Sequence, residues 1–202
     1  IPYLEKIKKE CKKMGVEVKI AYSDRLSIFK AIKSIKDIIE EEENNYIYVN
    51  VASGSKIQAI ACMMACMVLK HCDNLKPFYA QPEKYAVFEG KQQSFGIKDT
   101  IALPIYEIQT PKPKLLAALK IVFEQKDQRM TKKDMAKMTE ERGIITINSE
   151  EKNHSQARFA SLDKNIIAPL EKEWKFIEIE KIGRNRWIKI TEEGRNAAEF
   201  LI

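Results

Sequence analysis

Phe176-Ile-Glu-Ile-Glu-Lys-Ile-Gly-Arg-Asn-Arg-Trp-Ile-Lys-Ile190 decides how the C-terminal half is read. Phe176 to Ile179 and Trp187 to Ile190 alternate apolar with polar side chains, the period-two pattern of a strand with one buried face. Between them Gly183-Arg-Asn-Arg186 is a turn with two cations at its tip. The stretch predicts an antiparallel hairpin whose basic tip projects into solvent.

Three helices are expected upstream of it. Leu115, Leu116, Leu119 and Val122-Phe123 mark the first. Thr131-Lys-Lys-Asp134 opens the second, with Thr131 as N-cap and Asp134 three residues on. Met135 and Met138 form its apolar face and Gly143 ends it. Phe159, Leu162, Ile166 and Leu170, at i, i+3, i+7 and i+11, mark the third, after a lengthened turn over Ile144 to Asn153. Thr191-Glu-Glu-Gly194 opens a short last helix. Three helices followed by a hairpin with a basic tip is the winged helix-turn-helix plan.

That plan sends the third helix into the DNA major groove. His154, Arg158, Ser161 and Asn165, at i, i+4, i+7 and i+11, are taken as the stripe opposite the apolar one and as readers of base edges. Arg184 and Arg186 at the wing tip suit phosphates or the minor groove. Lys132 and Lys133 suit the flanking backbone. Winged helices also serve as protein-contact modules, which is the competing role.

Charge agrees mildly with a double-stranded DNA partner. The 202 residues carry a net charge of +6. Residues up to Ile108 hold 16 basic against 14 acidic side chains, and the rest hold 19 against 15. The surplus therefore leans C-terminal. Thr110-Pro-Lys-Pro-Lys114 reads as a stiff, exposed linker. The expected division is 1–108, a linker over 109–114, and 115–202.

Residues 1–108 alternate helix and strand. Leu4, Ile7, Cys11 and Met14 mark a helix that Gly15 ends. Val16, Val18 and Ile20 alternate as a strand does. Ile28, Ile32, Ile35 and Ile39 mark a second helix, running into the acidic stretch Glu40–Glu43. Tyr46 to Val51 is nearly all apolar, as a strand buried on both faces is. A tight loop, Ala52 to Lys56, precedes an apolar helix that reaches His71, and Lys76 to Ala80 is a further strand. Gln81 to Ile108 is expected to close the domain with strands and loops. The order implies an α/β fold: a Rossmann-like parallel sheet wrapped by helices, with a first strand expected ahead of Ile1 and absent from this chain.

The loop carries the chemistry of this half. Ser53, Gly54, Ser55 and Lys56 stand where a strand hands over to a helix, a position that favours anions, and Asn50 is placed to orient the loop or a ligand base. Neither G-x-x-x-x-G-K-[ST] nor G-x-G-x-x-G is present. A plain serine-capped turn has the same spacing.

Asn50-Val-Ala-Ser-Gly-Ser-Lys56 resembles the N-x-[ST]-[TSG]-G-[TS]-K signature of CARF domains, the CRISPR-associated Rossmann fold. Taken with Pro77-Phe-Tyr-Ala-Gln-Pro82 and a winged helix behind a Pro-rich linker, the chain resembles an archaeal family of CARF-like transcriptional regulators. The resemblance implies a homodimer whose two loops face a shared pocket for a cyclic oligoadenylate or similar nucleotide. The loop role then falls to Asn50, Ser53, Gly54, Ser55 and Lys56. Two departures stand out. The first-strand loop that supplies the other half of a CARF pocket is not in this chain, and Ala52-Ser53 replaces a Thr-Gly type pair. Asp24 and Arg25 are the nearest candidates for further contacts.

Enzyme chemistry is not expected. No Arg precedes a His by four to six residues, as the HEPN nuclease pattern requires. No catalytic triad or paired-carboxylate motif stands out, and neither cofactor nor metal is expected. Cys62, Cys66 and His71 read as a core-helix cluster rather than metal ligands, in a reducing, cytoplasmic setting. The longest apolar run, Ile57 to Leu69, is too short to span a bilayer. The functional expectation is a ligand-responsive DNA-binding transcriptional regulator. The alternative is a ring nuclease that degrades a cyclic oligoadenylate messenger, with the winged helix as scaffold.

Overall fold

The N-terminal half packs two helices on one face of a small sheet in the computed structural model, which describes residues 2–24, 26–85, 94–147 and 153–202. Helix α1 (Pro2–Lys13) ends at Gly15, whose φ of +71° no β-carbon hinders. Helix α2 (Ile28–Glu41) starts where the Ser27 hydroxyl accepts the Lys30 N–H at 3.3 Å. Strand β1 (Ile47–Asn50), helix α3 (Lys56–Val68) and strand β2 (Leu75–Gln81) follow. Then come a small hairpin of β3 (Lys84–Tyr85) and β4 (Ser94–Phe95), and strand β5 (Asp99–Ala102). The sheet order is β1-β2-β5; β1 runs parallel to β2, and β5 antiparallel. Ile32, Ile39, Ala61, Ala65, Leu69 and Leu75 form the core between α2, α3 and that sheet.

Three expectations are corrected here. Val16 to Ile20 forms no strand. Its side chains find no sheet to lie against, and Val16 and Ile20 stay exposed. Lys19 ties the segment to Glu42 Oε1 at 3.2 Å, and the Val16 N–H donates to the Cys11 carbonyl at 2.9 Å. Strand β1 is not buried on both faces: Ile47 and Val49 pack inward, while Tyr48 and Asn50 face out. The sheet is mixed rather than parallel, and α2 and α3 cover one side of it. The other side, with Tyr48, Lys76, Phe78, Thr100 and Ala102, forms an open depression of about 390 Å³.

The C-terminal half follows the predicted plan and adds a strand. Helix α4 (Pro113–Phe123) leads through a 3₁₀ turn to strand β6 (Arg129–Thr131), which sequence periodicity did not reveal. Helix α5 (Lys132–Glu141) is capped by Thr131, whose hydroxyl accepts the Asp134 N–H at 3.1 Å. Helix α6 (His154–Leu162) continues without a break through π-type turns over Asp163–Ile167 and Pro169–Glu173. Proline at 169 has no N–H to give, so wider turns satisfy this stretch of backbone. Strands β7 (Ile177–Ile182) and β8 (Asn185–Ile190) make the hairpin, and helix α7 (Glu192–Leu201) closes the chain. The sheet order is β6-β8-β7, each neighbouring pair antiparallel. Leu119, Met135, Leu162, Ile166, Leu170 and Ile188 are fully buried in one core. Each such side chain contributes roughly 1.5–3 kcal/mol through burial.

The halves touch. Helix α7 lies against α2 as well as α4, and the rings of Phe29 and Phe200 stack with centroids 6.1 Å apart. The Ile108 N–H donates to the Met67 carbonyl at 3.3 Å. Pro113 and Lys114, expected in the linker, form the first turn of α4, where proline's fixed φ suits the helix start.

Candidate nucleic-acid interface

Strand β6 sets the interface geometry. By pairing with β8, Thr131 against Trp187, it fixes the start of α5 beside the wing. Lys132, Lys133, Arg184 and Arg186 then line one cleft of about 300 Å³ with Phe159 of α6. Lys132 is already engaged: its ammonium pairs with Asp163 at 2.6 Å and lies 5.8 Å from the Phe159 ring centroid. Lys133, Arg184 and Arg186 are exposed and have no carboxylate within ion-pair distance among the described residues. Four of the expected DNA-contact residues thus converge on one concave, cationic surface.

The other four do not face outward together. His154 Nε2 and Arg158 Nη1 each lie 3.0 Å from a carboxylate oxygen of Glu140, on α5. The Asn165 amide donates to the Ser161 hydroxyl at 3.2 Å. The reason is phase. Each residue turns an α-helix by about 100°, and this stripe lags the Phe159-Leu162-Ile166-Leu170 stripe by one residue. It therefore flanks the core instead of opposing it. The exposed positions of α6 are Ser155, Gln156 and Ala160, followed in its extension by Lys164, Lys172 and Glu173, with Asn153 just before. Counting two residues from the buried stripe, rather than one, finds Ala160 and Lys164 from the sequence alone.

In the N-terminal half, the loop after β1 is self-capped. Asn50 Oδ1 accepts the Ala52 N–H at 2.9 Å. Ser55 Oγ accepts the Gln58 N–H at 3.3 Å, and Gln58 Oε1 accepts the Ser55 N–H at 2.8 Å, a reciprocal capping box. Gly54 has φ +93°, and a β-carbon there would stand 2.7 Å from Gln58 Oε1. Ser53 and Lys56 remain exposed at the start of α3. Asp24 Oδ1 accepts the Leu26 N–H at 3.0 Å, while Arg25 lies outside the described residues.

Burial raises the Cys66 thiol to about 12 and also raises Cys62. These are buried or half-buried thiols on α3. Among the described residues no cluster of three metal-ligating side chains forms, and no helix is long and apolar enough to cross a membrane.

Comparison with known proteins agrees with this topology. The model of the DUF6293 C-terminal winged helix domain matches residues 114–202. A model described as HFX_2341-like, N-terminal, matches residues 2–85. The chain is 26% identical over 168 residues to an uncharacterized protein of Methanocaldococcus jannaschii, across 71% of this chain and 50% of that protein. The chain spans about half the length of this curated relative. Strand order, wing and family match together identify residues 114–202 as a winged-helix domain.

Proposed function

We propose that this protein is a transcriptional regulator that binds duplex DNA through its winged-helix domain and responds to an anionic nucleotide at the Ser53–Lys56 loop. The cleft of Lys132, Lys133, Arg184 and Arg186 carries the first half of this reading. Cations from two elements border the outward face of the helix that a winged-helix domain presents to the major groove. In support of the second half, the loop lies at the carboxyl end of a parallel strand, with Lys56 exposed at the helix start. A cyclic oligoadenylate is the ligand class that the CARF resemblance implies. The large exposed hydrophobic side chains among the described residues lie within residues 7–106, apart from Ile182. That supports a homodimer formed through the N-terminal half.

Fluorescence anisotropy with a mixed-sequence duplex across a salt series tests the DNA reading. Binding that weakens steeply with salt is expected, because each neutralised phosphate adds about 0.9 to the slope of log K on log salt. A flat salt response, or no binding, overturns it. Adding cyclic tetra-adenylate tests the sensor: affinity for DNA should shift, and Lys56→Ala should abolish the shift. Conversion of that probe to linear products would instead favour the ring-nuclease alternative.

A further inference from the structure

A second cationic site lies on the other flank of α6. Lys112 in the linker, Lys114 in the first turn of α4 and Lys164 in the α6 extension line a cavity of about 280 Å³, with Asn165 and Trp174. None of the three lysines has a carboxylate within ion-pair distance among the described residues, in contrast to Lys132 and its Asp163. Glu173 lines the same cavity and pairs with none of them.

Position gives the site its meaning. Lys164 belongs to the outward stripe that also holds Gln156 and Ala160. The wing cleft borders α6 at Phe159, and this cavity borders it at Lys164 and Asn165. At about 100° per residue those borders fall on opposite flanks of the outward stripe. A helix with side chains is about 10–12 Å across, and the major groove is about 12 Å wide. A helix seated there has a phosphate ridge on each side, and this domain has one cationic cleft for each ridge.

We propose that Lys112, Lys114 and Lys164 are a second phosphate-contact site, gripping the DNA strand on the far side of the groove from the wing. The inference rests on the DNA-binding reading above. It adds that two of the three cations sit at the joint between the halves, so any change in that joint's position alters the grip directly. Glu173 tempers the site by placing a negative charge beside the phosphate.

The test compares three variants with the wild-type chain on mixed-sequence duplex, after thermal unfolding confirms that each is folded. The first replaces Lys112, Lys114 and Lys164 with Gln. The second makes the same charge change at Lys6, Lys9 and Lys12 of α1. The third is Glu173→Gln. The first should lower the salt slope by about 2.7, at about 0.9 per lysine. It should weaken selected and mixed duplexes by the same factor, because phosphates carry no sequence. The α1 triple should leave the slope near wild type, and Glu173→Gln should tighten binding several-fold. Equal slopes in the two triples overturn the proposal. So does a lysine triple that keeps the DNA slope but loses calorimetric binding of ATP, since the cavity then serves a free nucleotide. Wild-type protein that fails to bind duplex, or that binds it unaffected by Arg184→Gln with Arg186→Gln, overturns the underlying DNA reading instead.

Discussion

Arg158 Nη1 donates to Glu140 Oε2 at 3.0 Å, and His154 approaches the other oxygen of the same carboxylate at the same distance. The Arg158 and Glu140 side chains keep only 23% and 27% of their exposure, so the pair is shielded and joins α6 to the end of α5. Arg158 Nε is buried without a hydrogen-bond partner among the described residues, so the ion pair is what offsets the cost of burying this guanidinium. Glu140→Ala should therefore destabilise the domain by about 2 kcal/mol, more than Arg158→Ala, because it strands the charge. Urea unfolding of both single variants and the double variant should give a coupling of about 1 kcal/mol. The salt slope for DNA should not change in Arg158→Ala. A drop of about 0.9 would return Arg158 to the phosphate contacts.

Local pattern carried most of the C-terminal half, and the reasons it stopped there are physical. The hairpin at 176–190 declares itself because alternation and a Gly-Arg-Asn-Arg turn agree. Strand β6 is too short, at Arg129–Thr131, for any periodicity to show. The direction of the α6 stripe depends on one residue of phase, which the spacing of His154, Arg158, Ser161 and Asn165 cannot settle alone. At Tyr46 to Val51 the apolar run predicts a strand correctly. Which of its faces is covered depends on elements distant in sequence, and in this chain Tyr48 stays uncovered. The alternation at Val16 to Ile20 shows a segment suited to a sheet, yet ladder bonds need a neighbour with free backbone groups in register. The Ser-Gly-Ser-Lys loop was legible as a helix start. Its capping box with Gln58 shows how much of that signal is local structure.

Gln156 is exposed in the first turn of α6, on the outward stripe, and its amide can both donate and accept. Gln156→Ala should alter which duplexes are enriched from a random pool, at a cost of about 1–3 kcal/mol for the preferred base pair. The salt slope should stay constant, because no phosphate contact is lost. An unchanged preference with reduced salt dependence would make Gln156 a backbone contact.

Burial lifts Cys66 from the ordinary thiol value of 9.0 to about 12. Between those values the unfolded chain has lost the proton that the folded chain keeps. The folded state binds more protons there, so stability falls as pH rises from about 9 toward 12. At pH 10 the loss from this group should be about 1 kcal/mol, and Cys66→Ala should remove that share of the alkaline slope. Iodoacetamide at pH 8 should modify half-buried Cys11 well before buried Cys66, as mass spectrometry of peptides can show.

Gly194 has no room for a side chain. A β-carbon built there would stand 2.0 Å from the Phe176 carbonyl oxygen. That oxygen cannot retreat freely, since it accepts the Thr191 N–H at 2.9 Å, and Thr191 caps α7 through the Gly194 N–H at 3.0 Å. Gly194→Ala should cost about 3 kcal/mol or more, from overpacking and a weakened cap. Loss of less than 1 kcal/mol in a urea titration would mean that α7 can shift away from β7.

Phe200 brings the last turn of the chain onto Phe29, and the stacked pair joins the core around Ile32 and Ala65. The winged-helix core is built from residues between Leu115 and Ala198 and holds together without this ring. Phe200→Ala should thus leave that domain folded and its DNA salt slope intact, while weakening the hold between the halves by about 2 kcal/mol. Freed from this contact, the junction between the halves should open to trypsin, with faster cleavage after Lys114 in the first turn of α4. If nucleotide at the Ser53–Lys56 loop acts on DNA binding through α2 and α7, the same variant should bind both ligands and lose the effect of one on the other. Retained coupling would place the route elsewhere, the Ile108-to-Met67 hydrogen bond being the next connection to break.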